Sequence, residues 1–201
     1  RLYQNIGLYD RAQTLLEAAL KLRRQELGNE HPDVATSLDH LGEVASLKAD
    51  YARGESLLHE ALTMRRKVYG ADHQSVAHSM NNLGIILQEQ GDLKGAEALY
   101  REGLAMRRRL LGEKHPEVAM SLANLGCVLQ DLGKYDDAER LYRQVLALRR
   151  NLFGEEHPRV ATTMNYLAAL LRDRGEYEES EALFRQSLAM RRRLLGDEHR
   201  D

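Results

Sequence analysis

Residues 112–157 read GEKHPEVAMSLANLGCVLQDLGKYDDAERLYRQVLALRRNLFGEEH, a stretch that opens and closes on the same signature, Gly-x-x-His. Gly112 and His115 open it, and Gly154 and His157 close it 42 residues later. Outward from there the signature returns as Gly28…His31, Gly70…His73 and Gly196…His199, always at a step of 42. Other columns keep the same register. Leu-Gly stands at Leu41-Gly42, Leu83-Gly84 and Leu125-Gly126, with Leu167-Ala168 in the fourth place. Gly7, Gly91, Gly133 and Gly175 form another column, with Ala49 filling the gap. Tyr9, Tyr51, Tyr135 and Tyr177 form one more, with Leu93 substituting. Self-similarity at a fixed period of this length marks an array of supersecondary units.

Each unit reads as two helices. The first runs over 32–48 and recurs at 74–90, 116–132 and 158–174; in it Val34, Leu38, Leu41 and Ala45 fall at helical spacing. Pro32, Pro116 and Pro158 stand where a first-turn proline forfeits no needed hydrogen bond. Asp33 and Glu117 follow at the positive end of the helix dipole. The second helix runs over 51–69 and recurs at 9–27, 93–111, 135–153 and 177–195, with Ala138, Leu141, Tyr142, Val145, Leu146 and Leu148 as a buried stripe. It stops at Gly70, Gly112, Gly154 and Gly196, the residue type a left-handed cap prefers. Neither helix buries its stripe alone, whereas stacked hairpins bury a continuous core. The expected fold is all-α, a right-handed superhelical α-solenoid of antiparallel helix hairpins. Its expected division is a single array over 1–201: a partial repeat over 1–28, full repeats over 29–70, 71–112, 113–154 and 155–196, and the start of another over 197–201. Arg1 is not a natural start and residues 1–6 read as the tail of a helix, so the chain is expected to be a piece of a longer one.

Composition agrees. Of 201 residues 43% are hydrophobic and 30% charged, with three prolines and no tryptophan, a balance that favours helix over strand. The net charge of −2 gives no bulk argument for nucleic acid or a membrane surface. No apolar run reaches the roughly 18–20 residues of a membrane span. A single cysteine, Cys127, leaves no internal disulfide framework and fits a reducing compartment, so the cytoplasm is the expected location.

The small-residue columns resemble the tetratricopeptide repeat: Leu83-Gly84 permits close helix approach, and Tyr135 with Ala138 and Tyr142 makes the familiar packing set. The usual repeat is shorter. The 42-residue form here, with Asn81-Asn82-Leu83-Gly84 in a first helix and Leu111-Gly112-Glu113-Lys114-His115-Pro116 between repeats, looks like the kinesin light chain subfamily over essentially the whole chain. Runs such as Leu148-Arg149-Arg150 and the close repetition resemble its bacterial members, in which the array is often a sensor or docking region attached to a kinase, an ATPase or another effector.

The resemblance implies a concave groove lined by the first helices. It directs Thr36, Asp39, His40 and Glu43 there, then His78, Asn81, Asn82, Ile85 and Glu89, then Met120, Ala123, Asn124, Cys127 and Asp131, then Thr162, Asn165, Tyr166, Ala169 and Asp173. Asn82 and Asn124 precede Leu-Gly, where family members often bond a bound peptide's backbone or terminal carboxylate; an amide offers both donor and acceptor. The alternative is that these amides bond their own helix or solvent. His40 and Tyr166 depart from the asparagine column, so the ends of the groove read something else.

Two further columns admit functional readings. His31, His73, His115, His157 and His199 stand one per repeat; neighbouring repeats lie roughly 10 Å apart, too far to share a zinc ion, so a cap or an inter-repeat hydrogen bond is expected. Arg23-Arg24, Arg65-Arg66, Arg107-Arg108, Arg149-Arg150 and Arg191-Arg192 form either a basic ridge for phosphate or acidic peptides, or a set of dipole partners paired with acids such as Glu113, Glu155, Glu156, Asp197 and Glu198. No phosphate loop, nucleophile elbow or His-Glu-x-x-His occurs, and His115 lies too far along its helix to activate Cys127. The sequence therefore predicts an interaction scaffold, not an enzyme, without metal or cofactor, that binds a protein or peptide. A regulatory, sensing or self-associating array of a larger signalling protein is the alternative, and small-ligand sensing in the groove stands third.

Overall fold

The computed structural model describes residues 2–196. His199, Asp197, Glu198 and the start of a further repeat over 197–201 lie outside the described residues. Among the described residues there are nine helices and no strand: α1 (Leu2–Leu27), α2 (Pro32–Leu47), α3 (Tyr51–Tyr69), α4 (Gln74–Gln90), α5 (Leu93–Leu111), α6 (Pro116–Asp131), α7 (Tyr135–Phe153), α8 (Pro158–Asp173) and α9 (Tyr177–Leu195). The even-numbered helices are the expected first helices and the odd-numbered ones the second. Gly7 differs from its column. Gly91, Gly133 and Gly175 take positive φ and turn the chain, whereas α1 runs unbroken through Gly7. Nothing lies within 4 Å of where a side chain would project at Gly7, and the same holds at Gly91, Gly133 and Gly175, so space at the glycine does not account for the difference.

The chain forms two compact units, Arg1–Met106 and Arg107–Asp201. In the first, α2 packs between α1 and α3, α3 continues onto α4, and the two first helices α2 and α4 touch. Its core holds Val34, Ala35, Leu38, Leu41, Ala61 and Met64 in one cluster. A second cluster joins Leu58, Leu62, Val76, Met80, Leu83, Ile86 and Met106. In the second unit α7 packs on α6 and α8, α9 covers α8, and α6 touches α8. Val160, Ala161, Met164 and Met190 cluster there, with Leu146 and Leu183 against them. Each fully buried Leu or Val contributes about 1.5–3 kcal/mol relative to exposure.

The Leu-Gly column sets how closely the two helices of a hairpin approach. A methyl group added at Gly84 would lie 2.7 Å from Tyr100 Cε1, and one added at Gly126 would lie 2.7 Å from Tyr142 Cε1. Each tyrosine ring thus fills the space the glycine leaves, and its hydroxyl donates back to the first helix: Tyr100 to Gln88 Oε1 at 3.2 Å, Tyr142 to Gln130 Oε1 at 3.1 Å. Where Ala168 replaces the glycine, the Ser180 hydroxyl donates to the Ala168 carbonyl at 2.7 Å.

The loops between repeats are held by histidine. His31, His73, His115 and His157 have extended backbones, and each is the N-cap of a first helix. Each Nδ1 accepts from the backbone N–H two residues on, at Asp33, Ser75, Glu117 and Arg159, over 3.1–3.2 Å. Of the two expectations for this column, the cap is the one formed. Two of the rings stack on the last aromatic of the preceding second helix, Tyr69 on His73 at 4.1 Å and Phe153 on His157 at 4.6 Å.

Two substitutions probe this geometry. Ala49 holds φ +59° in the turn where its column otherwise has glycine. A left-handed residue with a Cβ costs roughly 1–2 kcal/mol, part of which a glycine's greater unfolded-state freedom offsets. Ala49→Gly is expected to stabilise the fold by about 0.5–1 kcal/mol and raise Tm by about 1–3 °C in a thermal melt. Gly84→Ala pushes a methyl into the Tyr100 ring and is expected to cost about 1–3 kcal/mol in the same measurement.

Candidate partner-binding site

In the first unit a cleft of about 320 Å³ opens along α2 and α4. Leu58 and Ile86 form its floor, and Leu47 and Ile85 its apolar walls. Glu43, Ser46, Asn82 and Glu89 complete the lining. On α4 the lining residues Asn82, Ile85, Ile86 and Glu89 fall at helical spacing along one face. The Ser46 hydroxyl donates to Glu89 across the two helices. Asn82 is buried, and its side-chain amide lies 3.3 Å from His78 Nε2 one turn back. Asn81 beside it is buried too, whereas His40 and His78 are exposed.

Behind this face lies a buried ion pair. Arg65 reaches from α3 to Asp39 of α2, and both are almost wholly buried. The same guanidinium donates to the Ser79 hydroxyl of α4 at 2.5 Å and to the Thr36 hydroxyl of α2 at 3.4 Å. Burial pushes the Asp39 carboxyl above its ordinary range, against the pull of Arg65. Arg65 therefore fixes the spacing of the two helices that wall the cleft.

In the second unit the corresponding face carries half-buried Asn124, Asn165 and Tyr166, with Asp131 exposed. Tyr166 stacks on Tyr142 at 5.7 Å between centroids. The Tyr142 hydroxyl contacts Cys127 Sγ at 3.3 Å. Burial pushes the Cys127 thiol and both tyrosine hydroxyls up, so this corner holds neutral, unreactive groups. Gln130 Nε2 donates to Asp173 at 2.6 Å, joining α6 to α8 as Ser46 and Glu89 join α2 to α4. Among the described residues no cluster of metal-ligating side chains occurs, and no helix is long and apolar enough to cross a membrane.

The arginine column divides. In the first four pairs the first member turns towards the next helix, with Arg65, Arg107 and Arg149 buried and Arg23 half-buried. Each donates to a hydroxyl fourteen residues on: Arg23 to Ser37 at 2.6 Å, Arg65 to Ser79 at 2.5 Å, Arg107 to Ser121 at 2.5 Å and Arg149 to Thr163 at 2.8 Å. The second member stays at the surface and pairs with acids, as Arg108 with Glu113 at 3.1 Å and Arg150 with Glu155 at 2.9 Å. Buried in this way, Arg65, Arg107 and Arg149 add nothing to a surface ridge. Sequence reasoning overlooked the inward arginines; the signal was the hydroxyl always fourteen residues later. It also overlooked Ser46 and Leu47, although Leu47 continues the Asp39–Glu43 row by one turn.

Two tetratricopeptide repeat family models match the chain, one over residues 1–53 and 128–193, the other over 34–75 and 76–117. Among solved structures, BtubC (BKLC) from P. vanneervenii is 26% identical with a TM-score of 0.81, covering 100% of this chain and 80% of that one. A putative kinesin light chain from P. anserina with nearly identical TPR-like repeats is 25% identical with a TM-score of 0.77, covering 97% and 92%. MamA shares the fold at 14% identity, with a TM-score of 0.60 over 95% and 93%. No curated protein sequence matches.

The buried pair behind the cleft yields a double-mutant test. Arg65→Met leaves Asp39 buried without its cation and is expected to cost about 3–5 kcal/mol in urea unfolding. Adding Asp39→Leu removes the orphaned charge and is expected to recover most of that loss. Equal losses in the single and double variants would mean that Arg65 acts through packing alone.

Proposed function

Since the chain belongs to the tetratricopeptide repeat family, whose members generally bind proteins or peptides and are generally not catalytic, we propose that it is a protein-interaction scaffold holding a partner segment against its first helices. The single observation that carries this reading is the cleft along α2 and α4, walled by apolar side chains and edged by polar ones. Repetition points the same way. The packing columns are near-constant, whereas the position of Asn82 reads His40, Asn82, Asn124 and Tyr166 along the chain. A scaffold keeps its supports and varies the face it presents. In this reading Asn82 and Asn124 each offer an amide to a bound backbone within their own unit, flanked by Asn81, His78 and Glu89 in the first and by Asn165, Tyr166 and Asp131 in the second. The protein works in the cytoplasm, without cofactor and without chemistry of its own. Asn82→Ala with Asn124→Ala is expected to abolish capture of the native partner, identified by cross-linking to the wild-type chain, while far-ultraviolet circular dichroism stays unchanged. Undiminished capture would move the site off these helices.

A second reading, self-association within a larger regulatory protein, rests on two apolar helix faces. Leu8, Leu15 and Leu22 are exposed on α1, and Tyr177, Phe184 and Leu188 on α9. The positions aligned with Phe184, namely Leu58, Tyr100 and Tyr142, are buried. Sedimentation equilibrium is expected to show mass rising with concentration, and Leu15→Glu with Leu188→Glu to hold the chain monomeric. A wild-type chain monomeric at millimolar concentration would end this reading.

A further inference from the structure

The cleft of the first unit has a charge pattern as well as a shape. Its charged lining residues are both acidic, Glu43 and Glu89, and no lysine or arginine lines it. Nearby cations are engaged elsewhere: Lys48 with Asp10 at 2.7 Å, Arg53 with Glu17 at 2.5 Å, and Arg65 with Asp39. The apolar walls are open to solvent, Leu47 at 61% exposure and Ile85 at 39%. Such side chains lie at the surface of a cleft without cost to a bound apolar group, and gain when one covers them.

The arrangement is diagonal. The 42-residue register sets Glu43 of α2 level with Ile85 of α4, and Leu47 of α2 level with Glu89 of α4. Since α2 and α4 touch, an acid faces an apolar residue at one level, and the order reverses one turn further along. A chain lying between the two helices meets acid and apolar side chains in alternation on both sides. The Ser46–Glu89 hydrogen bond fixes one acid in place without neutralising it. Glu43, on the other rim, is exposed.

Successive side chains of an extended chain point to opposite sides, and one helical turn spans about two of its residues, so from this checkerboard we infer that the cleft takes an extended peptide segment of a partner protein in which two adjacent leucine-like side chains are flanked on each side by lysine or arginine. This rests on the groove reading above and assigns the chemistry of its occupant. The apolar side chains sit on Leu47 and Ile85 over the floor of Leu58 and Ile86, and the cations reach Glu43 and Glu89. The cleft of about 320 Å³ is at the small end of ligand pockets, which span roughly 300–1,000 Å³, and admits side chains of a peptide rather than a whole cofactor. Exposed charge pairs contribute modestly each, so the acids select among peptides while the apolar contacts hold them.

The test uses the full chain and three labelled synthetic peptides of equal length: a Lys/Leu peptide with the unit Lys-Leu-Leu-Lys, a Glu/Leu peptide with Glu-Leu-Leu-Glu, and a Lys/Ser peptide with Lys-Ser-Ser-Lys. Fluorescence anisotropy at about 0.15 M salt reads the affinities. The Lys/Leu peptide is expected to bind about tenfold or more tightly than either other peptide. Glu43→Lys with Glu89→Lys, two surface changes, is expected to invert the preference towards the Glu/Leu peptide. Leu47→Ser with Ile85→Ser is expected to weaken all binding about tenfold. Tightest binding of the Glu/Leu peptide to the wild-type chain, lost in the Leu47→Ser, Ile85→Ser variant, would overturn the assigned chemistry and leave the groove reading standing. Binding of no peptide, or binding indifferent to both variants, would overturn both. Concentration-dependent dimerisation abolished by Leu47→Ser with Ile85→Ser would name a second copy as the occupant and overturn the proposal.

Discussion

A guanidinium taken out of water must find its partners inside the protein, and this requirement recurs every 42 residues along the chain. Arg23, Arg65, Arg107 and Arg149 each leave the last turns of a second helix and donate to a Ser or Thr hydroxyl one turn into the next first helix. Removing a charge from water costs several kcal/mol before its new bonds offset the loss. A hydroxyl alone is a weak counterpart, so each repeat adds its own supplement. Arg65 has Asp39, Arg107 has Glu117 at 3.2 Å, and Arg149 has the Arg159 carbonyl at 3.0 Å. Where a second helix meets the next first helix, relative position is thus specified by directional bonds as well as by apolar packing.

The remaining devices hold the same junction from other sides. The capping histidine satisfies an orphan N–H at the start of each first helix and, in two repeats, stacks on the aromatic that ends the preceding helix. The glycine opposite each tyrosine brings the hairpin's own helices close. With position and spacing fixed this way, exposed first-helix residues such as His40, Glu43 and Ile85 carry little of the packing. Their variation then changes what the surface offers without changing the scaffold beneath it, and the cleft of the first unit is one product of that freedom.

The helices were legible in the sequence because caps and breakers announce them. Pro32, Pro116 and Pro158 begin the helices in which they were expected, and Gly70, Gly112 and Gly154 follow the ends of theirs. The hairpin packing was legible from Leu83-Gly84 and Tyr142, since a missing Cβ and a large ring in register imply contact. The arginine pairs were not fully legible. Adjacent residues on a helix point about 100° apart, so one pair held a buried and an exposed member, and composition could not tell which. The cleft was half legible. Glu43, Ile85 and Glu89 followed from helical spacing, but the approach of Leu47 and Ser46 depends on the distance between α2 and α4, which only the packed structure contains.

The inward arginine also limits how such a chain can change length. Inserting one residue between Arg107 and Ser121 would rotate everything after it by about 100° if it fell within a helix, and would shift the loop if it fell outside. Either way a buried cation loses its hydroxyl. Adding a whole 42-residue block restores every arginine to a hydroxyl and every loop to its histidine. Duplication or loss of complete repeats is therefore the low-cost way to lengthen or shorten this gene, and the number of repeats can drift while the period stays fixed.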